Sequence, residues 1–261
     1  MSEVIFEDNF DAFNPENWEV KGNHTNFNVT TSDGWLHMLF SQQSSEPGIR
    51  YRWASVCTRN AMDLSNKQVC VRYDLIPKLL QPQLPMDEYF VGIMLANKKD
   101  IQGNPLINPD LDLKAVVYAI RMQFQVPIQK TAWVIDRGIA TRYYGAAFLL
   151  YPPAEFEIGV GLTKVITYEE GVEDITLPLP ADPTSLYVHL FVFQVEFVTS
   201  RGQVYLLPSR ASFDYLRVIK GPIVFEYPKP EQVMAQTLPQ VLSAIMVIMM
   251  VSLLLRVIGR M

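Results

Sequence analysis

The stretch YVHLFVFQVEFV (Tyr187–Val198) decides the fold. It is dense in valine, phenylalanine, leucine and tyrosine, which fit an extended, pleated surface. Side chains of such a strand point alternately to its two faces. The same character recurs in NFNVTT (26–31), GWLHMLF (34–40) and QVCVRYDLI (68–76). VVYAIRMQFQV (116–126) alternates too. Val117, Ala119, Arg121, Gln123 and Gln125 face one side of it, and Tyr118, Ile120, Met122, Phe124 and Val126 the other. Clusters of Gly, Pro, Asn and Asp punctuate these runs. No pattern of three helical turns precedes residue 231, and the 18 prolines discourage long helices. Many short strands without intervening helices predict an all-β sandwich or barrel. LLQPQLPMDE (79–88), NKKDIQGNPLINPDLD (97–112) and LPLPADPTS (177–185) read as long connections.

At 261 residues the chain can hold one large β domain. It is 49% hydrophobic and only 19% charged, with a net charge of −5. An acidic chain without a basic run is not expected to bind nucleic acid specifically through its sandwich. The opening MSEVIFEDNF carries Glu3, Glu7 and Asp8 rather than the basic and apolar regions of an export signal. Cys57 and Cys70 sit in strand-like stretches flanking one loop, so they are a candidate disulfide, with two buried free thiols as the other reading. His24, His37 and His189 are scattered, and no Cys/His spacing suits zinc. Asp110 and Asp112 carry hard oxygens that suit Ca²⁺, but a surface loop accounts for them better. No metal and no cofactor is expected.

The strand pattern resembles the concanavalin A-like lectin/glucanase superfamily, the jelly roll of laminin-G-like modules and laminarinase-type glycosidases. FEDNFDAFNPENWEV (6–20) is similar to its first strand and turn, and GWLHM (34–38) to the next strand. ASVCTRNAMDLSNKQVCVRYDL (54–75) resembles its strand–loop–strand unit, and ASFDYLRVIKG (211–221) its closing strand. In that closing strand Phe213, Tyr215 and Arg217 are expected to alternate with Asp214, Leu216 and Val218. The resemblance spans residues 4–221 and implies a jelly-roll β-sandwich over 1–226.

The glucanases of this superfamily carry a Glu-x-Asp-x-x-Glu strand, which the chain lacks. A retaining glycosidase needs two carboxyls about 5–5.5 Å apart. Glu155 and Glu157, on one face of AEFEIGVG, are the nearest approach and the pair expected to act if the chain is an enzyme. Glu169, Glu170, Glu173 and Asp174 in YEEGVED read as a solvated turn. For glycan binding the exposed aromatics of RYRWAS and TRYYGA are the candidates: Trp53, Tyr143 and Tyr144, with Trp133. Aromatic rings fill sandwich cores as well. Asn23 and Asn28 begin Asn-x-Thr sequons, candidate glycosylation sites.

After residue 226 the composition changes. A proline-rich linker, 227–235, leads to a hydrophobic segment, 236–261, expected to form one α-helix. Val241–Leu255 is apolar but for Ser243 and Ser252. As a helix that run is about 22 Å long, and flanking residues extend it to membrane length. Val241, Ile245, Ile248 and Leu253 are its anchoring residues, with Arg256 and Arg260 snorkelling to the far interface. Its expected partners are membrane lipid or neighbouring hydrophobic helices, with self-association of the chain. Arginines behind the helix, set against an N-terminus unlike an export signal, favour a particle assembled from inside the cell. The lead expectation is therefore a non-enzymatic structural or surface protein of a virion capsid or envelope, presenting a lectin-like sandwich for assembly, attachment or glycan binding. The alternatives are a membrane-anchored glycoside hydrolase-like enzyme and an accessory subunit of an integral membrane complex.

Overall fold

The computed structural model describes residues 3–22, 27–40, 47–77, 88–123, 126–147, 154–169, 172–198, 204–205 and 209–220. Their regular elements are all strands. In chain order these are β1 (Glu3–Asp8), β2 (Trp18–Gly22), β3 (Phe27–Ser32), β4 (Trp35–Phe40), β5 (Gly48–Thr58), β6 (Lys67–Pro77), β7 (Glu88–Ala96) and β8 (Ala115–Gln123). There follow β9 (Val126–Asp136), β10 (Ile139–Ala147), β11 (Ala154–Val160), β12 (Lys164–Glu169), β13 (Val172–Pro178), β14 (Tyr187–Val198), β15 (Val204–Tyr205) and β16 (Ser209–Lys220). The first sheet runs β13-β12-β11-β6-β16-β4-β3, with β1 added on β16. The second runs β10-β9-β8-β7-β14-β5-β2, with β15 added on β14. Neighbouring strands are antiparallel throughout. This is an all-β two-sheet sandwich.

Two hairpins follow directly from the sequence. Asp33-Gly34 joins β3 to β4, and Arg137-Gly138 joins β9 to β10, each with both residues at positive φ. That is the geometry of the tight turn whose twist matches its flanking strands.

The core between the sheets takes alternate residues of its regular strands. From β14 it takes Val188, Leu190 and Val192, from β8 Val116, Tyr118 and Ile120, and from β11 Phe156, Ile158 and Val160. The opening motif closes one margin of this core. Asp8 accepts the indole N–H of Trp18 at 2.7 Å and the backbone N–H of Phe10 at 2.9 Å, and both rings are buried.

The closing strand departs from plain alternation. The register of β16 against β6 shifts between Phe213 and Tyr215. This β-bulge flips the parity. Phe213 points inward on one side of it, and Leu216 and Val218 point inward on the other. Tyr215 and Arg217 therefore do not share the face of Phe213.

Cys57 and Cys70 are free thiols, which corrects the candidate disulfide. Cys57 lies on β5 of the second sheet and Cys70 on β6 of the first. Their inward-facing neighbours are Val56 on one strand and Val69 and Val71 on the other. Both thiols thus face away from the inter-sheet core, on opposite sides of the sandwich.

The chain divides into two compact units, Met1–Ile223 and Val224–Met261. The linker, the hydrophobic segment and its residues Val241, Ile245, Ile248, Leu253, Arg256 and Arg260 lie outside the described residues. Among the described residues no helix is long and apolar enough to cross a membrane.

Gly92 marks the closest approach of β7 to β8. A Cβ there would run onto the Tyr118 carbonyl oxygen and lie within 2.5 Å of Ala119 Cα. Both obstacles are backbone, so Gly92→Ala is expected to lower the free energy of unfolding by about 1–3 kcal/mol. Urea denaturation checks this; an unchanged midpoint would mean that the strands part without cost.

Candidate functional site

The two outer faces of the sandwich differ in chemistry. On the first sheet, inward Phe156 and Ile158 leave Glu155 and Glu157 projecting outward from β11. The register extends them into two rows. Glu157 lies opposite Cys70, which lies opposite Arg217, which lies opposite Glu7. Glu155 lies opposite Arg72, which lies opposite Tyr215. The Tyr215 hydroxyl donates to the Glu155 carboxylate, and the Gln68 side-chain amide donates to Glu157. The Arg217 guanidinium stacks 4.3 Å over the Tyr215 ring and pairs with Glu7 at 2.5 Å. Arg72 pairs with Asp214 at 3.2 Å. Burial, then the hydrogen bond to Glu155, pushes the Tyr215 phenol above its ordinary range. Burial, then the charge of Glu157, raises the Cys70 thiol. This face therefore holds two half-buried carboxylates side by side, each with a donor.

The outer face of the second sheet is apolar. Trp53, Phe90, Met94, Val117, Trp133, Phe191 and Phe193 form a second buried cluster there. A strap, the 97–114 connection between β7 and β8, covers much of it and buries its own Ile101, Leu106 and Leu113 in the cluster. Polar anchors fix the strap. The Trp53 indole N–H donates to the Gly103 carbonyl at 2.6 Å. His189 Nε2 meets the Lys98 carbonyl at 3.3 Å, and its Nδ1 meets the Ser55 hydroxyl at 3.0 Å. A carbonyl can only accept, so Nε2 carries the proton and Ser55 donates to Nδ1. Lys98 pairs with Asp110 and Asp112, each at 2.8 Å. Lys21 reaches Asp100 at 2.6 Å, and Lys99 reaches Glu19 at 2.8 Å. Hydrogen bonds from Lys21 and Lys99 hold Glu19 down to about 2. Burial pushes the Cys57 thiol up to about 12.

Asp110 and Asp112 are thus partners of Lys98 within the strap, and among the described residues no cluster of His, Cys, Asp or Glu is arranged to hold a metal ion.

The strap stops short of one end of the face. A cavity of about 430 Å³ remains, lined by Phe90, Trp133 and Phe193, with Ile49, Tyr51 and Ile107 at its lip and Arg142 in its wall. Arg142 lies 5.1 Å over Phe90, 5.2 Å over Trp133 and 4.8 Å over Tyr144.

The four aromatics proposed from sequence are not brought together. Trp53 is sealed beneath the strap. Trp133 lines the cavity, and Tyr144 stands exposed beside Arg142. Tyr143 packs against the inter-sheet core, because neighbours on a strand point to opposite faces. Asn28 is exposed on β3, whereas Asn23 lies outside the described residues. Tyr215 was missed as the partner of Glu155, because the bulge that aims it is not visible as a pattern. Ile49, Tyr51 and Phe193 were missed because they meet only through strand pairing. TRYYGA did hold a signal for Arg142, an arginine among aromatics.

No family model and no curated protein matches the sequence. Solved structures do match the fold. An endo-acting O-glycanase of the human gut microbiota aligns with 84% of this chain and 99% of its own, at TM-score 0.56 and 13% identity. The β-glucanase of Bacillus licheniformis aligns with 83% of this chain and 98% of its own, at TM-score 0.54 and 10% identity. A pseudo β-1,3-glucanase of Mycobacterium tuberculosis aligns with 84% and 99%, at TM-score 0.55 and 13% identity. The likeness is one of fold: the chain shares its two-sheet β-sandwich with these structures. It also corrects the leading functional expectation. These three structures are of glycan-cleaving enzymes and of a pseudo-enzyme of that kind, so neither a virion structural role nor a non-enzymatic chain is the reading they favour.

Burial holds His189 down to about 4, against about 6.5 for a free histidine. Between these values the unfolded chain takes up a proton that the folded chain refuses. The contribution is therefore complete above pH 6.5 and lost as pH falls towards 4. The stability lost on acidification should be smaller in His189→Gln, by up to about 1.4 kcal/mol per pH unit in this window. Urea denaturation of both proteins from pH 7 to 4 measures it; parallel curves would show that His189 does not titrate.

Proposed function

We propose that this chain is a carbohydrate-active enzyme of the glycoside hydrolase kind, acting on a polysaccharide through Glu155 and Glu157. The observation that carries this reading is the carboxylate pair on one outward face of β11, each member held by a hydrogen-bond donor. The fold shared with glucanases and an O-glycanase supports the substrate class.

The spacing of the pair bears on the mechanism. Two residues of strand rise are about 6.6–6.8 Å. Carboxyls standing side by side at that distance are too far apart for direct nucleophilic attack, and they fall at the short end of the inverting range, about 6.5–9.5 Å. Glu155 accepts a hydrogen bond from the Tyr215 hydroxyl and lies near the Arg217 cation, a place for a proton-accepting group. It is the general base. Glu157, beside the Cys70 thiol and the Gln68 amide, is the general acid. In the step, Glu157 gives its proton to the glycosidic oxygen as the bond from that oxygen to the anomeric carbon breaks. A water attacks that carbon from the opposite side of the ring and loses its proton to Glu155.

The apolar run 241–255, with Arg256 and Arg260 behind it, supports an enzyme held at a membrane surface by lipid or by neighbouring helices.

Incubation with a panel of β-glucans and galactans should release new reducing ends, and proton NMR of fresh product should show the inverted anomer. Glu157→Gln should lower kcat/KM by about 10²–10⁴-fold at unchanged melting temperature. No turnover on any glycan, or full activity in Glu157→Gln, would remove the reading; a retained anomer would remove the inverting geometry.

A further inference from the structure

We propose that the cavity on the outer face of the second sheet binds the alkyl chain of a single-chain anionic amphiphile, a fatty carboxylate. The site is independent of the carboxylate pair, since it belongs to the other sheet and faces away from the opposite side of the sandwich.

The lining sets the chemical class. Phe90, Trp133 and Phe193 form the floor, and Leu106 of the strap adds an aliphatic side. Among the described lining residues, the polar side-chain groups are the Tyr51 hydroxyl, the Trp133 indole N–H and the Arg142 guanidinium. A sugar ring is edged with hydroxyls, and each one buried without a partner costs free energy. This wall has too few partners for such a ligand, whereas a hydrocarbon chain needs none. The volume, about 430 Å³, is that of a small-ligand site.

The lip gives a second observation. Ile49, Tyr51 and Ile107 are 44%, 40% and 51% exposed, although apolar surface is favoured out of water. They surround the mouth of the same cavity, so a chain entering it would cover them together. Charge decides the head group. Arg142 is the charged residue among the described lining residues, and its face already stacks on Phe90 and Trp133. Its positive charge at the wall suits a carboxylate head group and repels an ammonium.

The test uses the full chain and dodecanoate below its micelle concentration, followed by calorimetry and tryptophan fluorescence. Dodecyltrimethylammonium and laminari-oligosaccharides are the comparison ligands. Saturable dodecanoate binding is expected, weakened at least tenfold in Ile107→Glu, whose exposed position spares the fold. Arg142→Gln is expected to abolish the preference for dodecanoate over the ammonium. Glu157→Gln should keep the dodecanoate affinity while losing hydrolysis, so the two sites can fail separately. Absence of saturable binding, equal affinity in Ile107→Glu, or displacement of dodecanoate by the oligosaccharide would overturn the proposal.

Discussion

The second sheet is apolar on both faces, and both must be kept from water. One face of β14 feeds the inter-sheet core with Val188, Leu190 and Val192. The other presents Phe191 and Phe193 beside Trp53, Phe90 and Trp133. A two-sheet sandwich covers only the first of these sets. Burial of apolar area contributes roughly 25 cal/mol per Å², so the second set favours any segment able to lie across it. The strap does so with Ile101, Leu106 and Leu113, and its backbone is tied down by Trp53 and His189. The charges around it, from Lys98–Asp110 to Lys99–Glu19, add fixed geometry more than energy, since partly exposed ion pairs are worth little.

The first sheet solves the same problem differently. Its outer face is polar and needs no cover. Across its strands Arg217 pairs with Glu7, the Gln68 amide donates to Glu157 and the Tyr215 hydroxyl donates to Glu155. Polar side chains held by neighbouring strands are better placed for chemistry than side chains on a loop, because the sheet fixes their spacing. The bulge in β16 then matters beyond the core. Without it, Tyr215 would sit on the parity of Phe213 and leave Glu155.

Most of the sandwich was legible. Alternation in 116–126 and density of Val and Phe in 187–198 correspond to β8 and β14. Three features were not. The parity of Phe213 relative to Leu216 was hidden, because a bulge adds one residue without changing composition. NKKDIQGNPLINPDLD looked like a surface loop, yet its spaced Ile101 and Leu106 are what bury it. The Cys57–Cys70 pairing failed because strands flanking one loop can belong to different sheets, as β5 and β6 do. Of the candidate sites, Glu155 and Glu157 were readable as one strand face. The cavity was not, since Ile49, Trp133 and Phe193 come from three strands and meet Ile107 of the strap.

The dependence of the second sheet on its strap is the point most open to a direct measurement. Ile101→Ala combined with Leu106→Ala removes two buried strap side chains and leaves both sheets intact. Urea denaturation with a hydrophobic dye in the native baseline reads the consequence. A loss of about 4 kcal/mol or more is expected, with dye binding to the uncovered aromatic face. Stability within about 0.5 kcal/mol of the parent and no dye binding would show that the strap is decoration and that the second sheet is covered by other means.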